Sequence, residues 1–371
     1  MTALIEPPAG YLDAVGGTPP WPQTVLALSR ASEAAWADPA RLHHLGRQAS
    51  LFLATARASL ASSVSTATRV DLSADQVFWA PSMRQANAWA LAGMRGMTQV
   101  AVSAIESLVM HDAVADLHLP TVTLPVDELG HVDTGSLVNL SDALVVVQAA
   151  NVEIGTVQDL HAAAAHGHPV IADASQVLGR APIEGPWSAI VADARGWGAP
   201  PGVAIIAVHP GAKWSPPIAA EGGWLGPGPN IPAAVAAATA LENLLPHAAD
   251  EALRHHRLIE DLRTRIALEI PDVAFAGDPI ARLPHILNCS VLYVSGEALV
   301  SELDRRGFAV ASGSACVADS DRASHVLVAI GAFTGGNLRI SLPLGCSQQT
   351  IDGFVPVLSE AVQQLRTEAG R

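Results

Sequence analysis

Lysine is almost missing from this sequence. Of its 21 basic residues, 20 are arginine and one, Lys213, is lysine. A coding preference for arginine accounts for an arginine-rich surface. It does not account for the loss of a lysine that chemistry requires, so any reaction needing an ε-amine has one candidate here. Basic patches are missing too: the formal charge is −14, and an acidic chain repels phosphate backbones, which argues against nucleic-acid binding. Long apolar runs are absent. The longest, Ala143 to Val147 and Val203 to Val208, are far too short to span a bilayer and read as buried strands. Met1 to Gly10 carries no Lys or Arg and no apolar stretch, so no secretory signal is expected. Cysteine is sparse, and Cys289, Cys316 and Cys346 are too widely spaced for a disulfide framework or a zinc pair. No metal site is expected, and a reducing, cytoplasmic setting is the simplest reading.

What is present is a 371-residue chain, half hydrophobic and rich in alanine, long enough for one large domain and a smaller one. Helical spacing of apolar residues runs from Gln23 to Leu60 with a break at Asp38-Pro39. It returns over Ser82 to Met94, Met110 to Leu117 and Val157 to His166. Strands are expected at Gln76 to Trp79, Gln99 to Ala104, Thr121 to Pro125, Ala143 to Gln148, Pro169 to Ala172, Ala189 to Ala192 and Val203 to Val208. Such alternation implies a mainly parallel sheet covered on both faces. After Asn230 a long helical stretch, Ala233 to Leu268, breaks at Pro246. Beyond Pro271 the order of strands and helices becomes that of an α+β unit, with strands at Ile286 to Tyr293, Ala309 to Ala311 and Asn337 to Leu342. Helices are expected there at Gly296 to Arg305, Ser324 to Ile330 and Gln348 to Thr367.

Three segments could carry chemistry. In Pro169 to Gln176 an apolar strand ends in Asp173, at the edge where parallel sheets bind ligands. That carboxylate either holds a proton on a heterocyclic nitrogen or caps the next helix. Cys316 lies among small residues after a strand, either a nucleophile or a buried small hydrophobe. Arg339 sits in an apolar strand and needs an anion, whether a structural carboxylate or a substrate's.

Read together with others, these segments resemble the cysteine desulfurases of the class V aminotransferase family. Tyr11-Leu-Asp13, the stretch from Pro39 to Ala49 with His43, Gly46 and Arg47, and Asn151-Val-Glu-Ile-Gly155-Thr-Val-Gln158 come first. Asp173-Ala-Ser-Gln176, Ser312-Gly-Ser-Ala-Cys316, Ser324-His-Val-Leu and Leu338-Arg-Ile-Ser follow in family order. Each is weak alone, but seven collinear matches are specific. The resemblance implies an α/β fold of fold type I among pyridoxal-phosphate enzymes. A large domain, residues 18–245, would hold a mainly parallel seven-stranded sheet between helices. Residues 1–17 and 246–371 would form a smaller α+β domain. It also implies roles. Asp173 would pair with the cofactor's ring nitrogen and Gln176 with its hydroxyl. Asn151 and Arg339 would hold a substrate carboxylate, and Cys316 would carry a persulfide. Cys289 and Cys346 read as structural.

The departures from the family pattern are as informative. The position of the cofactor-binding lysine falls on Gly196 and its preceding histidine on Arg195. The phosphate-binding turn becomes Trp79-Ala-Pro-Ser-Met83-Arg84, where Pro81 removes a donor and Met83 a hydroxyl. The stacking histidine becomes Ser107, and the stretch lent to the partner subunit becomes Leu225-Gly-Pro-Gly228. Lys213 lies beyond the next strand, which spans roughly 20 Å and exceeds a lysine's reach. Pyridoxal phosphate is thus implied by the family, with its binding lost or non-covalent. Three readings follow. The first is a non-catalytic partner, as homodimer or as heterodimer with an active desulfurase paralogue, with a possible sulfur relay through Cys316 to an acceptor protein. The second is a desulfurase or related C–S lyase using non-covalent cofactor. The third is a small-ligand module in the emptied cleft, with Trp79, Trp197 and Trp224 filling the vacated volume or stacking on the ligand.

Overall fold

The computed structural model of the chain describes residues 6–313 and 323–370. Cys316 lies outside the described residues. The first elements are α1 (Pro22–Ala34), α2 (His44–Thr68), β1 (Val77–Ala80), α3 (Met83–Gly93), β2 (Gln99–Ser103), α4 (Leu108–Ala115) and β3 (Thr121–Leu124). There follow β4 (Ala143–Gln148), α5 (Leu160–Ala164), β5 (Val170–Asp173), β6 (Ala189–Asp193), β7 (Ala204–Val208), β8 (Ala220–Glu221), β9 (Trp224–Leu225) and α6 (Ile231–Leu244). The last third holds α7 (Ala248–Glu269), β10 (Val273–Ala276), β11 (Ile286–Val291), α8 (Gly296–Arg305), α9 (His325–Ala329), β12 (Asn337–Ser341) and α10 (Gln348–Glu368).

The larger sheet runs β3-β2-β4-β5-β6-β7-β1-β9-β8. From β3 to β6 every pairing is parallel; β7 runs antiparallel to both β6 and β1. The reversal follows from chain length. Parallel neighbours need a crossover of a dozen or more residues, whereas β6 and β7 are joined by 194–203 alone. That short loop holds Arg195, Gly196 and Trp197 at the edge where the parallel strands end.

Alternation along the strands makes two cores. Val145 and Val147 of β4, Ala172 of β5, Ile190 of β6, Ile205 of β7 and Trp79 of β1 pack with α2 and α6 on one face. Leu144, Val146, Ile171, Val191, Ile206 and Phe78 pack with α3 and α4 on the other. Both faces are therefore apolar, which is why β4 is buried along its whole length. The small side chains of Ala233, Ala234, Ala236, Ala237, Ala238 and Ala240 are buried on α6 and admit close approach of α1 and α2. A separate antiparallel sheet, β10-β11-β12, forms its own core with α7, α8 and α10. Leu12 joins that core: its N–H donates to Ala309 O (2.8 Å) and its carbonyl accepts from Ser341 N (2.8 Å). Cys289 and Cys346 are buried there, and desolvation pushes their thiols up to about 12 and about 11.

Four expectations change. Among the described residues the sheet has nine strands and not seven, because a short hairpin, β8-β9, extends it beyond β1. The helix expected over Val157 to His166 begins only at Leu160, capped by Asp159. Val157 instead bridges Ala150, and its N–H bonds Ala281 O, a partner remote in sequence. Ala309 and Ala311 make single bridges, to Tyr11 and Arg339, and no strand. Trp79, Trp197 and Trp224 all belong to the core on the α2/α6 face. They fill core, not a cleft, and Trp197 Nε1 donates to Ala237 O of α6 (3.0 Å). No helix among the described residues is long and apolar enough to cross a membrane.

Candidate functional site

The ends of β2, β4 and β5 define one edge of the sheet, and a buried polar group stands at each. Asp173 closes β5, opposite Gln148 at the end of β4. Its Oδ1 accepts from the Ser175 N–H (2.8 Å) and hydroxyl (2.5 Å). Burial raises its carboxyl above the usual range, and the two Ser175 bonds oppose that. Glu106, just past β2, is fully enclosed; its Oε2 accepts from Ser107 N (3.0 Å), and its Oε1 has no partner. Burial first, then the charge of nearby Asp173, raises the Glu106 carboxyl well above its ordinary value. Like carboxylates in a desolvated place disfavour double ionisation, so the protonated form of Glu106 is favoured.

Gln176 Oε1 accepts from His285 Nε2 (3.3 Å). Burial, then the Arg180 charge, holds His285 neutral, and its Nδ1 has no partner. Asn151 sits at zero exposure in the turn after β4, with every side-chain valence used. Its amide donates to Ile105 O (3.0 Å) and Gln148 Oε1 (2.7 Å), and its Oδ1 accepts from Glu153 N and Ile154 N. In this conformation Asn151 braces the turn. Arg339 of β12 pairs with Asp13 (3.0 Å), the structural carboxylate that was one of its two alternatives, and its buried Nε stays unpaired. Near it lies Glu153, whose Oε1 also lacks a partner. Burial raises Glu153 to about 7, against a Ser324 hydrogen bond and the Arg339 charge. Glu153 meets both flanks of the segment bearing Cys316: a Cβ on Gly313 would strike its Oε1, and Ser324 bonds it.

The positions that depart from the family pattern have their own structural uses. Met83 begins α3, and its Sδ lies 3.9 Å from the Ser175 hydroxyl. Ser107 caps α4 by accepting from Met110 N (3.2 Å). Arg195 is clamped by two bonds to Asp193 Oδ2 (3.0 and 2.8 Å). Gly228 adopts a left-handed φ of 69°. Gly196 is the most constrained. Its carbonyl accepts from Thr18 Oγ1 (3.2 Å) and from Arg180 Nε and Nη2 (3.3 and 3.2 Å), and a Cβ here would run into the Ser175 carbonyl oxygen. Lys213 follows β7, whose last residue, Val208, pairs with the first residue of β6. It therefore lies at the opposite edge of the sheet from Asp173.

Pyridoxal phosphate meets this cradle unevenly. Asp173 suits a ring nitrogen. Gln176 Oε1 is taken by His285, which leaves its amide N–H groups to donate to a ring oxygen. Met83, however, offers a thioether where a hydroxyl would hold a phosphate, and no side chain fits at 196. The residues present do not fit a covalently anchored cofactor. Sequence reasoning gave no role to Glu106, although it stands in the Ile105-Glu106-Ser107 stretch matched to a family motif, or to Arg180 and His285, buried partners with no local signature. It also missed His325, whose Nε2 donates to Glu106 O (2.7 Å); its place in the Ser324-His-Val-Leu motif was the available signal.

A mostly parallel sheet with buried carboxyls at the C-terminal ends of its strands, beside a small antiparallel sheet, defines a mixed α/β protein. The chain belongs to the class V aminotransferase family, whose model, Aminotransferase class-V, matches residues 10–354. It is similar to a cysteine desulfurase of Cereibacter sphaeroides, 30% identical over 96% of each chain. A second relative is cysteine desulfurase IscS of Dictyoglomus turgidum, 26% identical over 96% of this chain and 95% of that one. Among solved structures, a NifS-like protein superposes with a TM-score of 0.83 at 22% identity, covering 96% of this chain and all of the other. The apo cysteine desulfurase from Thermococcus onnurineus gives 0.77 at 16% identity, over 96% and 95%. These likenesses establish the fold.

Proposed function

We propose that this chain is a desulfurase homologue without covalent cofactor chemistry, acting as a non-catalytic partner or sulfur-relay subunit of an active desulfurase. The observation that carries this reading is the seating of Gly196 on the Ser175 carbonyl, which leaves no room for a side chain where the family lysine falls. The single lysine at the far edge of the sheet supports it. Thiolate character at Cys316 would let it receive sulfane sulfur from a donor persulfide, the donor thiol leaving with the electron pair of the broken S–S bond. Closed twofold pairing is the expected assembly, with the partner either a second copy or an active paralogue.

Native mass spectrometry of the chain co-expressed with an active class V desulfurase from the same host tests this. The expected spectrum contains a mixed dimer and, after cysteine is supplied, one extra sulfur on the peptide carrying Cys316. Dimers of this chain alone that release sulfide from cysteine would overturn the reading. A mixed dimer without added sulfur would remove only the relay.

A second reading is favoured by a distinct observation. Glu106 Oε1, Gln148 Nε2, Glu153 Oε1 and Arg339 Nε are buried without partners, and such groups are costly unless something pairs with them. A small polar ligand in the crevice would satisfy them.

A further inference from the structure

The edge of the sheet opposite Asp173 holds a cleft of about 580 Å³, within the range of small-molecule sites. It lies below the starts of β2, β4, β5 and β6, so it shares no residue with the site around Asp173 and Glu106. Lys213, Arg95, His166 and His168 line it. In a chain with a formal charge of −14 and a single lysine, this gathering of cationic and titratable nitrogen is unusual.

The two permanent cations stand on adjacent backbone segments. Arg95 N–H donates to the Lys213 carbonyl (2.9 Å), placing their main chains side by side. Arg95 Nε and Nη2 both donate to Ser215 Oγ (3.0 and 2.8 Å), which sets the guanidinium plane. Trp214, between Lys213 and Ser215, is held by its Nε1 bond to Ala90 O (2.9 Å). Among the described residues neither cation has a carboxylate partner. His168 Nε2 lies 3.2 Å from Leu137 O, which can only accept, so the ring donates there through Nε2. Asp142 is the acidic member of the lining, and Met97 supplies an apolar wall.

We infer that this cleft binds a small phosphorylated molecule, its phosphate between Lys213 and Arg95 and its organic part against Met97. Two adjacent permanent cations attract a divalent phosphate more strongly than a singly charged anion, and this local attraction must outweigh the repulsion from Asp142 and from the net charge of the chain. An arginine fork beside a lysine point charge suits phosphate oxygens, and the Arg95 fork, already held on Ser215, loses little freedom on binding.

Calorimetric titration with inorganic pyrophosphate tests it, using the full chain, Lys213→Ala, Arg95→Gln and Lys213→Arg. Lys213 and Arg95 are exposed, and equal melting temperatures will confirm that the variants fold. The expected result is one site per chain, weakened at least about tenfold by Lys213→Ala and by Arg95→Gln and largely kept by Lys213→Arg. Pyrophosphate binding that is absent, or unchanged in both loss variants, overturns the inference. Citrate binding as tightly as pyrophosphate overturns the assignment to phosphate.

Discussion

Glu153 shows how a single burial shapes behaviour. Its carboxyl titrates near the ordinary 4.5 in the unfolded chain and at about 7 in the fold. Between those values the unfolded chain has released a proton that the folded chain keeps. Stability therefore falls as pH rises through this window and levels off above it, by about 3 kcal/mol in all. Glu153→Gln, neutral at every pH, should match the parent in urea unfolding below about pH 4.5 and exceed it above about pH 7. Parallel pH profiles for the two proteins would contradict this. The residues that could be read in advance were those at strand ends and in motifs, Asp173, Gln176 and Arg339 among them. Glu153 stood inside the Asn151 to Gln158 motif, but its character, like that of Glu106 and Arg180, comes from burial against segments distant in sequence. Asn151 was expected to hold a substrate carboxylate, whereas its use as a turn brace depends on Ile105 and Gln148, which only the fold brings to it.

Among elements, the loop joining β6 to β7 decides the most. Its shortness turns β7 antiparallel, and Trp197 anchors it to α6 through Ala237. Arg180 and Thr18 hold the Gly196 carbonyl. Restoring the family residue by Gly196→Lys should therefore fail twice. Steric overlap with Ser175 should cost about 1–3 kcal/mol of stability, and no Schiff-base band should develop with pyridoxal phosphate. A stable, yellow Gly196→Lys protein would show that the loop yields more easily than its contacts indicate. The order of strands and helices was legible because apolar runs and periodicity are local properties. The β8-β9 hairpin was not: two residues per strand carry no pattern. The three tryptophans were read as cleft residues because their segments border the crevice, whereas side-chain direction, set by strand alternation and the loop's turn, sends them to the opposite face.

At the scale of the whole molecule, the two edges of one sheet have diverged. The edge at the ends of the parallel strands holds the buried Asp173 carboxyl and a set of unpaired buried groups, but leaves no space for a side chain at Gly196. The opposite edge carries the lone lysine and the cationic cleft. The account places no amine within reach of Asp173, and that is its central claim. Absorbance spectra of the purified protein, taken as isolated and after addition of pyridoxal phosphate and desalting, test it most directly. The account predicts no visible band persisting after desalting, and borohydride-fixed adduct, if any forms, only on Lys213 at the distal edge. A persistent band whose borohydride-reduced adduct abolishes cysteine desulfuration would contradict it, since an amine would then have to stand in the crevice beside Asp173.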